Sequence, residues 1–433
     1  MDYSHEPNGV FFLIDNKSFY ASVEATMRGF NPLTVPLVVM SEQANTNGGL
    51  ILATSPMAKK LFGLKANVSR QRNLPQDPRL VVVPPRMNLY IERNLEINDI
   101  FRRFVADEDL VPYSIDESIL DMTHSWRLFG NSPIEVAKLI QKTVHDELGL
   151  YLTVGIGDNP VQSKLALDIY AKHTPDFIGE IHYSTVPEKI WSIENLTDVW
   201  GIGNRTAKRL NNLKIYTMKD LAAASPFLLK EKLGIIGTQL YATAWGIDRT
   251  NLHKRIKPRE ASIGNSQVLP RDYRSQEEIE TVIKEIGEQV ASRLRHHHKV
   301  AGVLSLGIGF SYAASEEDGR GGFGHSLKID PTNDNREIVA HLIKMFEDNW
   351  QGQTIRNIAV YTSKLSSMSG RQLNIFMDPR QQIKKQESDR VVDQIRDKFG
   401  FKSLVYARST TKGGTAINRA SLVGGHNGGN AYE

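Results

Sequence analysis

The sequence predicts an α+β protein made of several domains, on three observations. Its 433 residues exceed the roughly 100 to 200 residues of one typical domain. With 40% hydrophobic and 24% charged residues, the composition is that of a folded globular protein. Strand and helix patterns alternate in each half of the chain, which predicts two βαββαβ sheets with helices on one face.

The first predicted sheet begins with the apolar strand Val10–Ile14, which ends at Asp15. Leu110–Ser114 and Ser118–Met122 are predicted as two strands around a turn, and Leu152–Ile156 as the next strand. Helical patterns separate these strands, and the resulting order is typical of a βαββαβ sheet.

Two helix starts stand out, one in each predicted sheet. Ser132 and Glu135 have the spacing of a capping box, with Pro133 at the first helical position. Ser275 and Glu278 repeat that spacing. Apolar residues at helical intervals follow each start, so we expect two amphipathic helices.

A second βαββαβ unit is predicted between Ser262 and Leu365. Beyond the helix that starts near Ser275, apolar residues alternate from Leu304 to Phe310 as one strand face. A further helix then leads to the strand Ile355–Thr362. The tail from Asp378 onward has one more helical stretch and ends in paired glycines, so we expect its end to be mobile.

The composition limits where the protein works. No apolar run reaches the length of a membrane span. The first residues carry Asp2 and Glu6 and lack the basic start of a secretory signal. The absence of cysteine excludes disulfides, thiolate metal sites and cysteine nucleophiles. We therefore expect a cytoplasmic protein with no membrane association, whose site uses oxygen or nitrogen ligands.

Three carboxylate side chains are the candidate metal-binding groups. Asp15 follows the first strand, and Asp116 with Glu117 lies in the turn between two others. If these strands pair, the three groups converge, and their repulsion calls for a cation. Magnesium prefers such oxygen ligands, and a pair of ions roughly 3.5 to 4 Å apart can activate a hydroxyl and stabilise a leaving pyrophosphate. For any one acid alone, an exposed turn or a strand end is the alternative.

Two longer segments give these acids a context. Asp15–Glu24 (DNKSFYASVE) and Tyr113–Asp121 (YSIDESILD) closely resemble the two palm motifs of the Y-family translesion DNA polymerases. Within the UmuC/DinB group, the stretch Ser262–Gln267 (SIGNSQ) looks closest to the UmuC-like bacterial branch. The resemblance implies an error-prone, template-directed DNA polymerase of lesion bypass and SOS-type DNA repair. It would join a dNTP to a primer 3′-hydroxyl with two Mg²⁺ ions.

The resemblance also implies a right-hand polymerase: a ferredoxin-like palm, small fingers, a helix-hairpin-helix thumb and a βαββαβ-like little finger. We expect the palm at 1–19 and 89–185, the fingers at 20–88, the thumb at 186–250, a basic linker at 251–261, the little finger at 262–370, and a clamp-binding motif and tail at 371–433.

Site residues follow by motif position. The family's catalytic, metal-binding acids correspond to Asp15, Asp116 and Glu117, with Asn16 as a further ligand through its carbonyl. Tyr20 corresponds to the aromatic steric gate that excludes a 2′-hydroxyl, and its alternative role is core packing.

The nucleotide-binding positions lie in the first palm motif, the fingers and the last palm helix. The matching residues are Ser18, Phe19, Tyr20, Thr54, Lys59 and Lys172. Lys59 would neutralise phosphate as a point charge where many relatives have an arginine. Lys172 is the candidate for the triphosphate lysine, and a solvent-facing side chain is the alternative.

Primer-template DNA is the expected partner of the region after the palm. Glu194–Glu260 holds twelve Lys and Arg residues against six Asp and Glu. Within it, Gly201 and Gly203, followed by Lys208, have the form of a helix-hairpin-helix that binds phosphate without reading bases. In the little finger, Arg356 matches a backbone-contacting arginine.

A short peptide at the end of the little finger resembles the one by which bacterial polymerases bind the sliding clamp. Leu373 and Phe376 would fill an apolar pocket, and Gln372 would hydrogen-bond beside it. One more strand is the alternative. We expect the polymerase to be a monomer.

Two other functions are weighed against polymerisation. A palm-type nucleotidyl cyclase would use a similar metal pair, but no Gly-Gly-Asp/Glu-Glu-Phe run occurs. A non-catalytic scaffold would bind DNA and the clamp on a polymerase fold, but the three acids are all present.

Overall fold

The computed structural model describes residues 1–41, 49–254, 260–368 and 379–427. These form two compact units. Unit 1 contains the described residues of Met1–Met40 and Leu50–Arg255, and unit 2 contains Ser41, Gly49 and the described residues of Ile256–Glu433. No helix in these ranges is long and apolar enough to cross a membrane.

Unit 1 contains eight strands and ten α-helices in its described part. The strands are β1 (Phe11–Asn16), β2 (Leu37–Met40), β3 (Ile51–Thr54), β4 (Val81–Val83), β5 (Leu110–Pro112), β6 (Glu117–Asp121), β7 (Leu152–Gly157) and β8 (Ile178–Ile181). The helices are α1 (Phe19–Thr26), α2 (Pro56–Phe62), α3 (Met87–Phe101), α4 (Pro133–Leu148), α5 (Pro160–Leu165), α6 (Val186–Lys189), α7 (Asn204–Asn211), α8 (Met218–Ala223), α9 (Pro226–Leu233) and α10 (Ile235–Ala244).

The larger sheet of unit 1 has the order β5-β6-β1-β7-β8. Strand β1 lies at its centre, antiparallel to β6 and β7. Helix α5 packs directly on β7, because a Cβ on Gly155 would lie 2.1 Å from the Ser163 carbonyl oxygen. This close contact brings the side chains of α5 to the edge of the sheet where β1 ends.

The strands around the acidic turn differ from their predicted bounds. Strand β5 ends at Pro112 rather than at Ser114, because the amides of Tyr113 and Ser114 both donate to the Glu117 carbonyl, at 2.8 and 3.0 Å. Strand β6 starts one residue earlier than predicted, at Glu117. One of the two acids of the turn therefore belongs to a strand.

A smaller sheet with the order β3-β2-β4 lies in unit 1 beside α2. Helix α2 begins at Pro56, and the Ser55 hydroxyl caps it by accepting the Ala58 amide. The segment from α6 to α10 is helical and has its own apolar core, which includes Leu210, Met218 and Leu229.

Unit 2 is built on a four-stranded antiparallel sheet with the order β11-β10-β12-β9. Its strands are β9 (Ile263–Tyr273), β10 (Lys299–Phe310), β11 (Gly322–Thr332) and β12 (Ile355–Ser367), followed by the hairpin β13 (Leu422–Val423) and β14 (His426–Asn427). Its helices are α11 (Gln276–His296), α12 (Tyr312–Asp318), α13 (Asn335–Glu347), α14 (Pro379–Phe399) and α15 (Ala416–Arg419).

The order β9-α11-β10-β11-α13-β12 confirms the second predicted βαββαβ unit. The capping box predicted at Ser275 does not form: its side chain makes no cap hydrogen bond. Glu278 instead pairs with Arg271 at 2.8 Å. A nearby arginine competes for the carboxylate that the capping box needs.

The predicted tail helix is α14, and the chain after it packs on α11. The buried Glu285 carboxylate accepts the amides of Thr415 and Ala416 at 3.0 and 2.9 Å. The prediction of a mobile end falls on 428–433, outside the described residues.

Candidate active site

The register of β1 against β6 places two of the three predicted acids together. Asp15 lies directly opposite Glu117, so their side chains leave the same face of the sheet. The next residue, Asn16, donates through its backbone amide and its Nδ2 to the Asp116 carbonyl, at 2.9 and 3.0 Å. The end of β1 is thereby fastened to the acidic turn.

Ser114 orients the remaining acid. Its hydroxyl donates to Asp116 Oδ1 at 2.8 Å and accepts the Glu117 amide at 3.0 Å. A side chain bonded to both acidic residues holds the turn in one shape. Asp116 is half-buried, so its carboxylate stays accessible to a ligand.

Burial is the main reason why the pKa of Asp15 is raised to about 6. The Lys172 ammonium group works against this shift, whereas the carboxylates of Asp116 and Glu117 add to it. The three acids therefore share one electrostatic environment, and a cation near Asp15 would favour its ionised form.

Two residues that the motifs did not indicate complete this cluster. Lys164 Nζ lies 2.7 Å from Glu117 Oε1 and 3.2 Å from Asp168 Oδ2. Lys172 Nζ pairs with the other Asp168 oxygen at 2.7 Å. Lys164, Asp168 and Lys172 are spaced by four residues, which was the signal in the sequence for one shared helical face.

The residues at the end of β1 fit a hard divalent cation. Oxygen atoms of Asp15, Asp116 and Glu117 are suitable ligands, and the buried Asn16 Oδ1 has no hydrogen-bond donor in the described structure. The carboxylates are not gathered around one point, since Glu117 is paired with Lys164. Within the described ranges, the one His/Asp/Glu group with ligand atoms all within 4.8 Å is Asp109, Asp121 and His253.

The predicted gate residue faces this cluster. The Tyr20 ring stacks on Tyr90 with a centroid distance of 4.4 Å and an interplanar angle of 13°. Burial raises the pKa of Tyr20, and the Asp116 carboxylate adds to the shift. Its neighbour Phe19 is 3% exposed, so only the Phe19 backbone can reach a nucleotide. Ser18 precedes α1 in the left-handed region, with φ 51°.

Three lysines lie near one another beside the acids. Burial lowers the pKa of Lys17, and the ammonium groups of Lys172 and Lys59 lower it further, against the opposing effect of Asp15. Lys59 is exposed on α2, and Thr54 is buried at the end of β3. The sequence indicated Lys59 and Lys172 but not Lys17, which lies inside the first motif.

Comparison with known proteins gives this arrangement a family. Residues 14–168 match the model of the impB/mucB/samB family, residues 260–375 match its C-terminal domain, and residues 183–215 match its helix-hairpin-helix motif. The chain is 41% identical over 98% of its length to the putative UV-damage repair protein UvrX of Bacillus subtilis, and the match covers 99% of that protein.

The chain belongs to the impB/mucB/samB family of Y-family DNA polymerases. The polymerase is also 36% identical to DNA polymerase IV 2 of Bacillus subtilis, over 96% of this chain and 98% of that one. A solved chimeric Y-family DNA polymerase superposes with a TM-score of 0.66 at 21% identity, covering 83% of this chain and 99% of the other. This likeness confirms the predicted right-hand fold.

Family membership confirms the predicted activity. The polymerase is a DNA-directed DNA polymerase of lesion bypass, a metal-dependent nucleotidyltransferase that binds DNA and dNTP. The cyclase and scaffold alternatives are therefore set aside.

The hairpin of the polymerase between 196 and 211 presents its backbone to solvent. Gly201 has φ +90°, and a Cβ at Gly201 or Gly203 would meet no atom within 4 Å. Gly203 is the N-cap of α7, and Lys208 is exposed on that helix. The buried Ile202 anchors the loop between them.

The other predicted contacts of the polymerase lie in unit 2 or beyond the described residues. Arg356 Nη1 is paired with Asp272 Oδ1 at 3.1 Å, so this arginine already has an acidic partner. Gln372, Leu373 and Phe376 lie outside the described residues.

Proposed function

We propose that the polymerase joins dNTP to a primer 3′-hydroxyl at Asp15, Asp116 and Glu117, with two Mg²⁺ ions as the metals. The observation that carries this proposal is the β1–β6 register, which sets Asp15 opposite Glu117 with Asp116 in the adjoining turn. The buried Asn16 beside them supports a further oxygen ligand. When bound, the ions supply a lowered pKa for the attacking hydroxyl and charge neutralisation at the leaving pyrophosphate.

Lys164 has a positioning role in this proposal. It holds the Glu117 carboxylate at 2.7 Å and has Asp168 as a second partner. With a cation bound, Glu117 would be one of its ligands, and Asp168 would remain as the partner of Lys164. The ion pair holds the Glu117 side chain near its working position beforehand.

The nucleotide lies beside the lysines in this proposal. Lys59 and Lys172 neutralise the triphosphate together with Lys17, because both ammonium groups lie close enough to Lys17 to lower its pKa. The first amides of α1, at Phe19 and Tyr20, have no intrahelical acceptor and are available to phosphate oxygens.

Three more residues are assigned to selection of the sugar and to the surface that covers the nucleotide. We assign the Tyr20 ring to the sugar, where it leaves no room for a 2′-hydroxyl. Ser18 supports the turn before α1, and Thr54 lies at the end of β3 where the fingers would cover the nucleotide.

In this proposal the protein holds DNA through contacts with its sugar-phosphate backbone. The open hairpin at Gly201 and Gly203 offers the α7 amides to a phosphate, with Lys208 beside them. Arg356 contacts the DNA backbone after leaving Asp272. Contacts of this kind carry no base information, so we expect slow synthesis with few nucleotides added per binding event.

The remaining assignments concern organisation. The proposal also includes the domain bounds given from the sequence, a monomeric state and a cytoplasmic location. It further assigns the contacts with the sliding clamp to Gln372, Leu373 and Phe376. The helix-hairpin-helix match at 183–215 and the C-terminal match at 260–375 support the thumb and little-finger bounds.

Primer extension tests the proposal. Asp116→Ala is expected to abolish extension with Mg²⁺ while the affinity for primer-template DNA, measured by fluorescence anisotropy, stays within about twofold. Glu108→Ala removes an acid of a nearby exposed turn and serves as the matched control with full extension. Extension by Asp116→Ala at the wild-type rate would remove the carboxylate assignment.

The metal is tested separately. Wild-type protein stripped with a chelator is expected to regain extension on addition of Mg²⁺ but not of Ca²⁺, because Ca²⁺ has longer and less regular coordination. Full activity in the chelator would contradict the assignment of Mg²⁺.

A further inference from the structure

Two large aromatic side chains lie exposed and in contact in unit 1. The rings of Tyr113 and Trp200 have a centroid distance of 6.1 Å and an interplanar angle of 64°. Tyr113 is 43% exposed and Trp200 is 55% exposed. In the described structure, neither the Tyr113 hydroxyl nor the Trp200 Nε1 has a hydrogen-bond partner. Because the two rings are in contact, they form one contiguous exposed surface and not two scattered side chains, which makes the pair a candidate binding site.

Tyr113 adjoins the catalytic acids. Its amide donates to the Glu117 carbonyl at 2.8 Å, and the next residue, Ser114, bonds the Asp116 carboxylate. Burial raises the pKa of Tyr113, and the Glu117 carboxylate adds to the shift although Lys164 opposes it. The ring therefore lies at the edge of the carboxylate cluster.

Trp200 is on the hairpin that we assign to the DNA backbone. Its neighbours Val199 and Ile202 are each 2% exposed and anchor the loop in the helical core. Gly201 turns the backbone between them with φ +90°. This geometry leaves the Trp200 ring outside the core, beside the amides that would hold phosphate.

We propose that Tyr113 and Trp200 form an aromatic seat for the primer strand. The two rings pack against the deoxyribose faces of its last nucleotides, and so set the position of the 3′-hydroxyl at Asp116 and Glu117. The inference rests on the proposed function, which places the primer end at the acids and the DNA backbone at the hairpin. A strand that connects these two points passes the ring pair.

The chemistry of the pair selects a sugar rather than a base edge. The rings offer apolar and π surfaces and no rigid array of donors, so they accept any sequence. Sugar contacts carry no base information, which suits an enzyme that must extend primers of every sequence. Both residues are positioning residues, because they act on the reacting hydroxyl through the strand.

A footprint of the primer strand tests the seat. Hydroxyl radicals cleave DNA at sugars that the protein leaves uncovered, and the measurement needs neither dNTP nor turnover. Wild-type protein on a primer-template duplex is expected to protect the terminal primer sugars. Trp200→Ala and Tyr113→Ala are expected to lose that protection, and Trp200→Phe and Tyr113→Phe to keep it. Tyr216→Ala, which removes a thumb side chain with 57% exposure, is the matched control with an unchanged footprint.

Single-turnover extension supplies the second readout. Trp200→Ala is expected to lower the rate of nucleotide addition about tenfold, because the 3′-hydroxyl is no longer held in its attacking position, with the dNTP concentration at half-maximal rate unchanged. Trp200→Phe restores the rate. Terminal-sugar protection by Trp200→Ala equal to that of the wild type, or equal loss in Tyr216→Ala, overturns the seat.

The Asp116→Ala variant distinguishes a failure of this inference from a failure of the proposed function. Asp116→Ala is expected to retain the complete footprint, because the seat does not use the acid. If the wild-type protein protects the terminal sugars but Asp116→Ala still extends primers, the carboxylate assignment is wrong and the aromatic seat is retained.

Discussion

Tyr20 is held in place by residues that are themselves buried. Its ring stacks on Tyr90, whose hydroxyl donates to Glu24 Oε1 at 2.8 Å. Arg86 donates to the other oxygen of that carboxylate at 2.7 Å. Both Tyr90 and Glu24 are fully buried. The fixed Tyr90 ring restrains Tyr20 on one face, which favours the predicted role of Tyr20 in excluding a 2′-hydroxyl.

Tyr20→Ala is expected to raise ribonucleotide incorporation relative to dNTP incorporation by at least about tenfold, because the space beneath the sugar opens. Extension assays with rNTP and dNTP in separate reactions measure the ratio. Tyr20→Phe keeps the ring and should keep the discrimination. A ratio for Tyr20→Ala equal to that of the wild type would assign the ring to packing alone.

His182 forms a pH-dependent pair away from the acids. Its Nδ1 lies 2.7 Å from Asp158 Oδ1. The hydrogen bond with Asp158, together with the Glu180 carboxylate 3.7 Å from Nε2, raises the pKa of His182 from 6.5 to about 9. The folded state thus binds the proton more tightly than the unfolded chain. The stabilisation is full below pH 6.5 and disappears as the pH rises through about 9.

His182→Gln is therefore expected to reduce the free energy of unfolding at pH 6 by about 1 kcal/mol, a small value because more than a third of the side chain is exposed. The difference from the wild type should shrink at pH 9.5. Urea unfolding at both values measures it, and an equal difference at both would exclude protonation as the cause.

The sequence motifs indicate the acids of the proposed site but not the residues that packing brings beside them. Asp15, Asp116 and Glu117 could be singled out because Asp15 follows a predicted apolar strand and the other two lie in the turn between two more predicted strands. Lys164 and Asp168 could not be singled out, because their approach to Glu117 depends on how closely α5 packs on β7. That distance is a property of the tertiary structure.

At the scale of elements, the contact between β7 and α5 determines the position of Lys164 relative to Glu117. A Cβ on Gly155 would lie 2.1 Å from the Ser163 carbonyl and 2.4 Å from the Leu167 amide. Both neighbours are backbone atoms and cannot move aside alone. The glycine thus sets the separation that lets Lys164 reach Glu117.

Gly155→Ala is expected to lower the free energy of unfolding by about 1 to 3 kcal/mol or more, because the helix must shift to admit a methyl group. It should also reduce extension, since Lys164 moves with the helix. Gly307→Ala is the matched strand control, where the nearest atom is 3.6 Å from the new Cβ. Urea unfolding of the two variants should separate them, and equal stabilities would show that α5 packs less tightly.

Element types could be predicted more fully than element ends. The order of strands and helices in both sheets follows from the periodicity of apolar residues, and it is confirmed in unit 2 by β9, α11, β10, β11, α13 and β12. The ends depend on single hydrogen bonds. Tyr113 and Ser114 leave β5 because their amides share the Glu117 carbonyl, which no periodic pattern encodes.

At the scale of the whole molecule, the charge is divided along the chain. The segment Glu194–Glu260 is net basic, whereas the end of β1 and the turn beside it gather the carboxylates of Asp15, Asp116 and Glu117. The basic segment attracts DNA phosphates, and the carboxylates attract metal cations. These two attractions do not compete, because the opposite charges lie in different segments of the chain. DNA affinity should therefore fall steeply with salt.

Clamp docking is a prediction for the complete molecule. Replacing Leu373 and Phe376 by alanine is expected to remove most stimulation of synthesis by a bacterial sliding clamp, because the apolar pocket contacts are lost. Synthesis without the clamp should stay unchanged, and primer extension with and without clamp measures both. An equal loss in both conditions would indicate a role of the two residues in folding.

The Glu285 contact with the chain after α14 has a consequence for how the polymerase would be tethered to its clamp. Two described contacts lie on either side of the predicted clamp peptide along the chain: the Met368 amide donates to the His298 carbonyl at 3.2 Å, and the amides of Thr415 and Ala416 donate to Glu285. The chain is thus attached to unit 2 both before and after the predicted peptide. We expect a protease cut between these two contacts to leave the peptide joined to unit 2 through one contact instead of two.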